Sequence, residues 1–250
     1  MVFIAKTRST EEWKAVTSAI STLVDEATFE ANVEGISFRG MDPSHVALID
    51  IHWPNSTFES FECDSSVKFG VRIDELLKVI RRGDKKDSVE VRLGDDSTLV
   101  IKMYNGYLRE YKMRLIESSA SATPLPKLSF NTKVVLVAGS FDRILSDINI
   151  VSEYLSIGSE SSVVRFSGKG DSGEAEIILE PKSEGLEELS VKEPSTATYS
   201  IDYLSKITKA ISTVGGSIAA EFSSKMPIRL EFRVINMGRI HFYLAPRVQD

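Results

Sequence analysis

The chain has 250 residues, 42% of them apolar, enough to bury one large core or two of ordinary size. Its 30 basic against 36 acidic residues leave a formal charge of -6, so attraction to a polyanion has to come from a local patch. The lone Cys63 excludes an internal disulfide framework or a multi-thiolate zinc site, and points to a reducing compartment.

The opening segment MVFIAKTRSTEEW turns charged after a brief apolar start and lacks the long apolar core of a signal peptide. No later run approaches the roughly 18 apolar residues of a membrane span, and no Lys/Arg block resembles a nuclear import signal. A soluble intracellular protein is expected. Trp13, Val16 and Ile20 then recur at the spacing of one helix face, with Ser9 and Glu12 as an S-x-x-E capping box. GISFRG at 35–40 alternates like a strand.

GMDPSHVALIDI at 40–51 places Asp42, Ser44 and His45 together, the inventory of a hydrolytic site. A nucleophilic serine, however, usually stands on a strand-to-helix elbow, whereas Ser44 precedes the strand-like VALIDI. Asp42, Pro43 and Ser44 read more naturally as a turn. IDELLKVIR at 73–81 is the second amphipathic helix, and the strands VEVRL, TLVIKMY and REYKMRLI follow, separated by GDD at 94–96 and NG at 105–106.

From residue 117, ESSASATPLPKLSF carries two prolines among small residues and reads as an extended surface connector. Its Leu125 and Leu128 suggest that it lies against an apolar groove. Beyond it the pattern repeats. The offset from Trp13 to Phe141, 128 residues, also takes Val16 to Ile144 and Ile20 to Ile148. Ser140 offers a cap for that helix. The same offset takes GISFRG to VVRFSG and IDELLKVIR to IDYLSKITK. SIAAEF, IRLEFRV and RIHFYLAP close the second half, with GG at 215–216 and MGR at 237–239 as turns. The expectation is an α+β chain of two repeated domains, 1–116 and 132–250, joined by a connector over 117–131, with antiparallel sheets covered on one face by helices.

On the second helix of each half the apolar residues face one way and leave Lys78, Arg81, Arg82, then Lys206 and Lys209, on another face. Lys85 extends that patch, and Lys14 and Arg143 add single charges on the first helices. Solvated charge opposite a packed face is the ordinary explanation for any one helix, but recurrence at a fixed offset favours a shared basic surface. The three histidines, His45, His52 and His241, come with no H-E-x-x-H and no paired cysteines, and the phosphate-cradling glycine motifs are absent. No metal, cofactor or catalytic group is expected.

With these residues in view, the chain resembles a DNA sliding clamp of the proliferating cell nuclear antigen family, through GMDPSHVALIDI at 40–51, CDSSVKFGVRIDELLKVIRRG at 63–83, MPIRLEFRV, and MGRIHFYLAPRV ending at 248. Its connector lacks the acidic run of eukaryotic members and looks more like that of archaeal clamps. The resemblance implies the clamp fold, with sheets outside and helices lining a ring, and a processivity factor without catalysis. That ring encircles duplex DNA of any sequence, either as a homotrimer or as a heterotrimer with paralogues. It implies loading by a clamp loader, and tethering of DNA polymerase, flap endonuclease and DNA ligase through short peptide motifs.

The resemblance further implies DNA contacts from Lys14, Lys78, Arg81, Arg82, Lys85, Arg143, Lys206 and Lys209. A partner-peptide pocket is implied at Met41, His45, Val46, Leu48, Leu125, Pro227, Tyr243, Ala245, Pro246 and Val248, which makes His45 a wall rather than a base. Tyr111, Met113, Ile177 and Ile178 become candidates for the subunit seam, ordinary burial within one chain being the alternative. Localisation is expected in the cytoplasm at the nucleoid for an archaeal source, or in the nucleus for a eukaryotic one. A peptide-binding adaptor of the same fold that is not loaded on DNA is the competing reading, and a hydrolase using Ser44, His45 and Asp42 a third.

Overall fold

A computed structural model describes residues 2–117, 123–212, 215–234 and 238–248. Two compact units emerge from it: residues 1–43, 49–123 and 235–240 form the first, and residues 44–48, 124–234 and 241–250 the second. Connector residues 118–122 lie outside the described residues.

In the first unit the elements run β1 (Phe3–Thr7), α1 (Glu11–Ser21), β2 (Glu26–Asn32), β3 (Gly35–Met41), β4 (Ala47–Pro54), β5 (Ser60–Cys63), β6 (Val67–Arg72), α2 (Ile73–Ile80), β7 (Ser88–Gly94), β8 (Thr98–Asn105) and β9 (Tyr107–Arg114). One sheet has the order β5-β1-β7-β8-β9, and a second layer runs β4-β3-β2-β6. The expected helix face is buried: Trp13, Val16 and Ile20 are all at most 1% exposed, and the Trp13 ring meets that of Trp53 edge-on at 4.8 Å. Burying several large aromatic and aliphatic side chains, each contributing about 1.5–3 kcal/mol, is what holds α1 and α2 to the sheets.

The second unit runs β10 (Thr132–Val137), α3 (Ala138–Ile148), β11 (Tyr154–Glu160), β12 (Val163–Gly170), β13 (Gly173–Leu179), β14 (Leu186–Val191), β15 (Ser195–Ser200), α4 (Ile201–Ile211), β16 (Gly215–Phe222), β17 (Ile228–Val234) and β18 (Arg239–Leu244). Its sheets have the orders β14-β10-β16-β17-β18 and β13-β12-β11-β15. Substituting each element of the first unit by its counterpart reproduces both orders strand for strand. Phe141, Ile144 and Ile148 are buried like their counterparts on α1.

Local differences from the sequence reading have simple causes. α1 begins at Glu11 with Thr10 as its flanking residue, and there is no capping box: the Ser9 hydroxyl accepts the Glu11 N–H at 3.1 Å, while Thr10 donates its own hydroxyl to the Asp84 carbonyl at 2.7 Å. Ser140 lies inside α3, which starts at Ala138 directly after Val137. The Gly215–Gly216 pair opens β16 rather than forming a turn, and the β16–β17 register shifts between Gly215 and Ser217, a bulge that glycine accommodates. β9 stops at Arg114, because Ile116 leaves the ladder to donate its N–H to the Gly70 carbonyl at 2.9 Å.

Candidate functional site

Three groups of side chains were singled out by the sequence, and the two units position them as follows. The first group is basic. On α2, Lys78 sits one turn after Asp74 and bonds its carboxylate at 3.0 Å, while on α4 Lys206 does the same with Asp202 at 2.6 Å. Lys85 pairs with Glu11 at 3.3 Å, and Lys14 spends a donor on the Gly83 carbonyl at 2.6 Å. Arg81, Arg82, Arg143 and Lys209 are exposed, and among the described residues no acid pairs with them. Half of the candidate cations are therefore already engaged in the free chain.

The acids of the first helices do not form a competing surface of equal strength. Glu12 is half-buried, with one carboxylate oxygen lacking a partner among the described residues, and its burial pushes the carboxyl above the usual range. Asp142 also has one oxygen buried, whereas Asp147 is exposed. Asp25 follows α1 rather than lying on it.

The second group surrounds the turn at 42–46. His45 has φ +59 and is exposed, so the chain reverses there through a left-handed residue of a type that tolerates it. In the second unit the Ala245 N–H donates to the Val46 carbonyl at 2.9 Å, which fastens the segment after β18 to the segment before β4. Val46 and Val248 are exposed at 37% and 82%, whereas Leu48 and Tyr243 are buried at 3% and 5% and underlie the surface. Leu125, Pro227, Ala245 and Pro246 are half-buried. Met41 is half-buried at the end of β3 in the first unit.

The third group lies on sheet edges. β9 ends the order β5-β1-β7-β8-β9, and β13 ends β13-β12-β11-β15. Tyr111, Met113 and Ile177 are half-buried and Ile178 is 43% exposed. The sequence reading missed Tyr104, Tyr107 and Leu108, which stand 57–67% exposed around the β8–β9 turn. It also missed the anchoring of β9. Arg109 forms an ion pair with Asp87, whose side chain is fully buried, and donates a second bond to the Arg82 carbonyl at 2.9 Å. Burial alone would raise the Asp87 carboxyl, but the Asp84 N–H and Arg109 hold it below the usual carboxylate range.

Among the described residues no cluster of three His, Cys, Asp or Glu side chains could hold a metal ion, and no helix is long and apolar enough to cross a membrane.

Residues 2–120 match the family model for the proliferating cell nuclear antigen N-terminal domain, and residues 124–247 the model for its C-terminal domain. The chain is 58% identical over 250 residues to a DNA polymerase sliding clamp of Nitrosopumilus maritimus, and 56% identical to one of Cenarchaeum symbiosum, with full coverage of both chains in each case. A crystal structure of PCNA from Thermococcus kodakaraensis superposes with a TM-score of 0.94 at 25% identity, covering 98% of this chain and 100% of that one.

Proposed function

Because the chain belongs to the proliferating cell nuclear antigen family, we propose that three copies close head to tail into a ring around duplex DNA, with β9 of one copy meeting β13 of the next. Its function is that of a sliding clamp, a DNA polymerase processivity factor in replication, and not that of an enzyme. One observation carries the assembly. The two units share their strand orders, with β18 the counterpart of β9 and β4 the counterpart of β13. The segments flanking β18 and β4 are tied by the Ala245–Val46 bond, yet β9 and β13 have only one neighbour each. A head-to-tail contact between copies gives those two edges the equivalent join, and closure leaves neither β9 nor β13 open in any copy.

In this reading the domains are 1–116 and 132–250, with 117–131 as connector. The seam gathers Tyr111 and Met113 from one copy and Ile177 and Ile178 from the next. Arg81, Arg82, Arg143 and Lys209, with Lys14, Lys78, Lys85 and Lys206 behind them, touch phosphates inside the ring, where weak sequence-independent contacts are enough because enclosure replaces affinity. The turn at His45 and Val46, with Leu48, Tyr243, Ala245, Pro246 and Val248, Leu125 and Pro227, and Met41 from the first unit, takes short peptides from DNA polymerase, flap endonuclease and ligase. An ATP-driven clamp loader places the ring on DNA, in the cytoplasm at the nucleoid.

Sedimentation at micromolar concentration should give a particle of about three chains, or a mixed ring with paralogues. A stable lone monomer with no partner chain refutes the ring. The four engaged cations favour the second reading, an adaptor with this fold that is not loaded on DNA. Replacing Lys78, Arg81, Lys206 and Lys209 together by Glu separates the two: loss of polymerase processivity on primed circular DNA supports the clamp, and unchanged processivity the adaptor.

A further inference from the structure

The outer face of β13-β12-β11-β15 carries a polar groove that none of the three groups above uses. The ladder registers place Glu176, Ser167, Ser156 and Thr198 in one row across all four strands, since Ser167 pairs with both Glu176 and Ser156, and Ser156 with Thr198. The short Ser167, Ser156 and Thr198 side chains make a floor, with Glu176 at one end. Beside them Tyr154 and Lys169 stand taller, Lys169 in register with Glu174, and together they enclose a cavity of about 440 Å³, within the range of small-ligand sites.

The far wall is Arg247. Its backbone N–H is fixed to the Thr198 carbonyl at 2.7 Å, and its guanidinium carbon lies over the Tyr154 ring, 3.8 Å from the centroid. A guanidinium held over a ring by cation–π attraction can still turn its N–H donors to a carboxylate and receive it through two parallel bonds. Among the described residues no acid pairs with Arg247 or Lys169, whereas Glu176 is already committed to Arg165 at 3.7 Å. On the floor, the Ser156 and Thr198 hydroxyls bond each other at 2.7 Å, while among the described residues none bonds the Ser167 hydroxyl. The charges without a partner are therefore two cations against Glu174, and the more rigidly held cation is Arg247.

We propose that this groove is a second subsite for the partner peptide, taking an extended segment that bears a carboxylate. The inference rests on the peptide-pocket reading above, because Arg247 directly follows Ala245 and Pro246 and so continues that pocket along the chain. A peptide anchored by apolar side chains beside Ala245 needs only to run on past Pro246 to bring an Asp or Glu onto Arg247. The Tyr154 contact lowers the cost of ordering the guanidinium before the peptide arrives.

Fluorescence anisotropy on the full-length protein tests this with labelled synthetic peptides. One carries only the anchor, a glutamine with aliphatic and aromatic residues in one helical turn. The others add an aspartate-containing or a lysine-containing extension at either end. On the wild type the aspartate extension at one end should tighten binding roughly three- to tenfold, and the gain should shrink as salt is raised. In Arg247→Ala the ratio of affinities with and without the extension should fall to about one, and Arg247→Lys should restore only part of it. A gain that survives Arg247→Ala, or a larger gain from lysine, overturns the proposal. Binding of the anchor with no gain from either aspartate extension overturns it and leaves the pocket standing. Failure of the anchor itself to bind removes the pocket reading and this one together.

Discussion

Replacing Asp87 by Ala should loosen the edge strand β9 without touching any of its ladder bonds. The Asp87 side chain is fully buried and accepts two donors through one oxygen, the Asp84 N–H at 2.6 Å and the Arg109 guanidinium. Removal strands the Arg109 side chain, which keeps 20% of its surface in solvent, and frees the loop whose Arg82 carbonyl takes the other Arg109 bond. Breaking a buried pair from one side costs about 3–5 kcal/mol, and the partial hydration of Arg109 favours the lower end, about 3 kcal/mol. At a few degrees per kcal/mol the melting transition of the first unit should fall by roughly 10 °C. Two compact units make a single two-state transition a poor assumption, so hydrogen exchange of residues 81–87 and 107–114 should accompany the melt and show protection lost there first. A double-mutant cycle with Arg109→Met decides the mechanism. If the double mutant costs the sum of the two singles within about 0.5 kcal/mol, the two side chains do not act as a unit and the clasp is refuted.

Three further outcomes follow from the same kind of reading. The folded-state carboxyl of Asp87 lies below its unfolded value near 3.9, so its stabilisation is full above that pH and disappears as the pH falls through the folded value. Asp87→Asn should flatten the acid limb of first-unit stability below about pH 4, and an unchanged acid limb would contradict this assignment. Gly35→Ala should cost upwards of about 2 kcal/mol in denaturant melts, because Gly35 has φ +145 and an added Cβ would fall 2.2 Å from the Trp53 carbonyl oxygen; a neutral substitution would show that the β2–β3 turn can shift. Tyr199→Phe should destabilise the second unit by about 1 kcal/mol through loss of the hydroxyl bond to the Met226 carbonyl at 2.8 Å. Burial raises the phenol of Tyr199, so absorbance titration should show a late-ionising tyrosine that Tyr199→Phe removes.

The architecture was legible where it depended on apolar period. Trp13, Val16 and Ile20 share a helix face with their counterparts at Phe141, Ile144 and Ile148, and all six are buried because the interval sets both the face and the repeat. Ends of elements were less legible. The Ser9 and Glu12 pattern suggests a capping box, but Thr10 reaches the Asp84 carbonyl and takes over the helix start, a tertiary contact that no local motif encodes. The same limit applies to the site. The Asp87–Arg109 pair joins residues 22 apart across the β7–β8–β9 meander, and the Arg247–Tyr154 contact joins the segment after β18 to β11, so neither has a sequence period to reveal it. The i,i+4 partners Asp74 and Asp202, by contrast, were visible in IDELLK and IDYLSK.

Those two acids bear on how a ring of this chain would hold DNA. Aspartate one turn before lysine recurs in both halves, and each pair is exposed and screened by solvent, so it holds its lysine only weakly. In the proposed ring a phosphate would displace the aspartate from Lys78 or Lys206 at small cost, but the carboxylate would stay within a helical turn and repel the phosphate that replaced it. Each contact is left shallow. For a protein that seeks one sequence this arrangement would waste affinity, whereas for a ring retained by closure it keeps neighbouring phosphate registers close in energy, the condition for moving along the duplex. Removing the acids by Asp74→Asn and Asp202→Asn should thus strengthen salt-dependent DNA retention while slowing diffusion of loaded rings in single-molecule tracking. Faster or unchanged diffusion would show that the pairs merely solvate the helix.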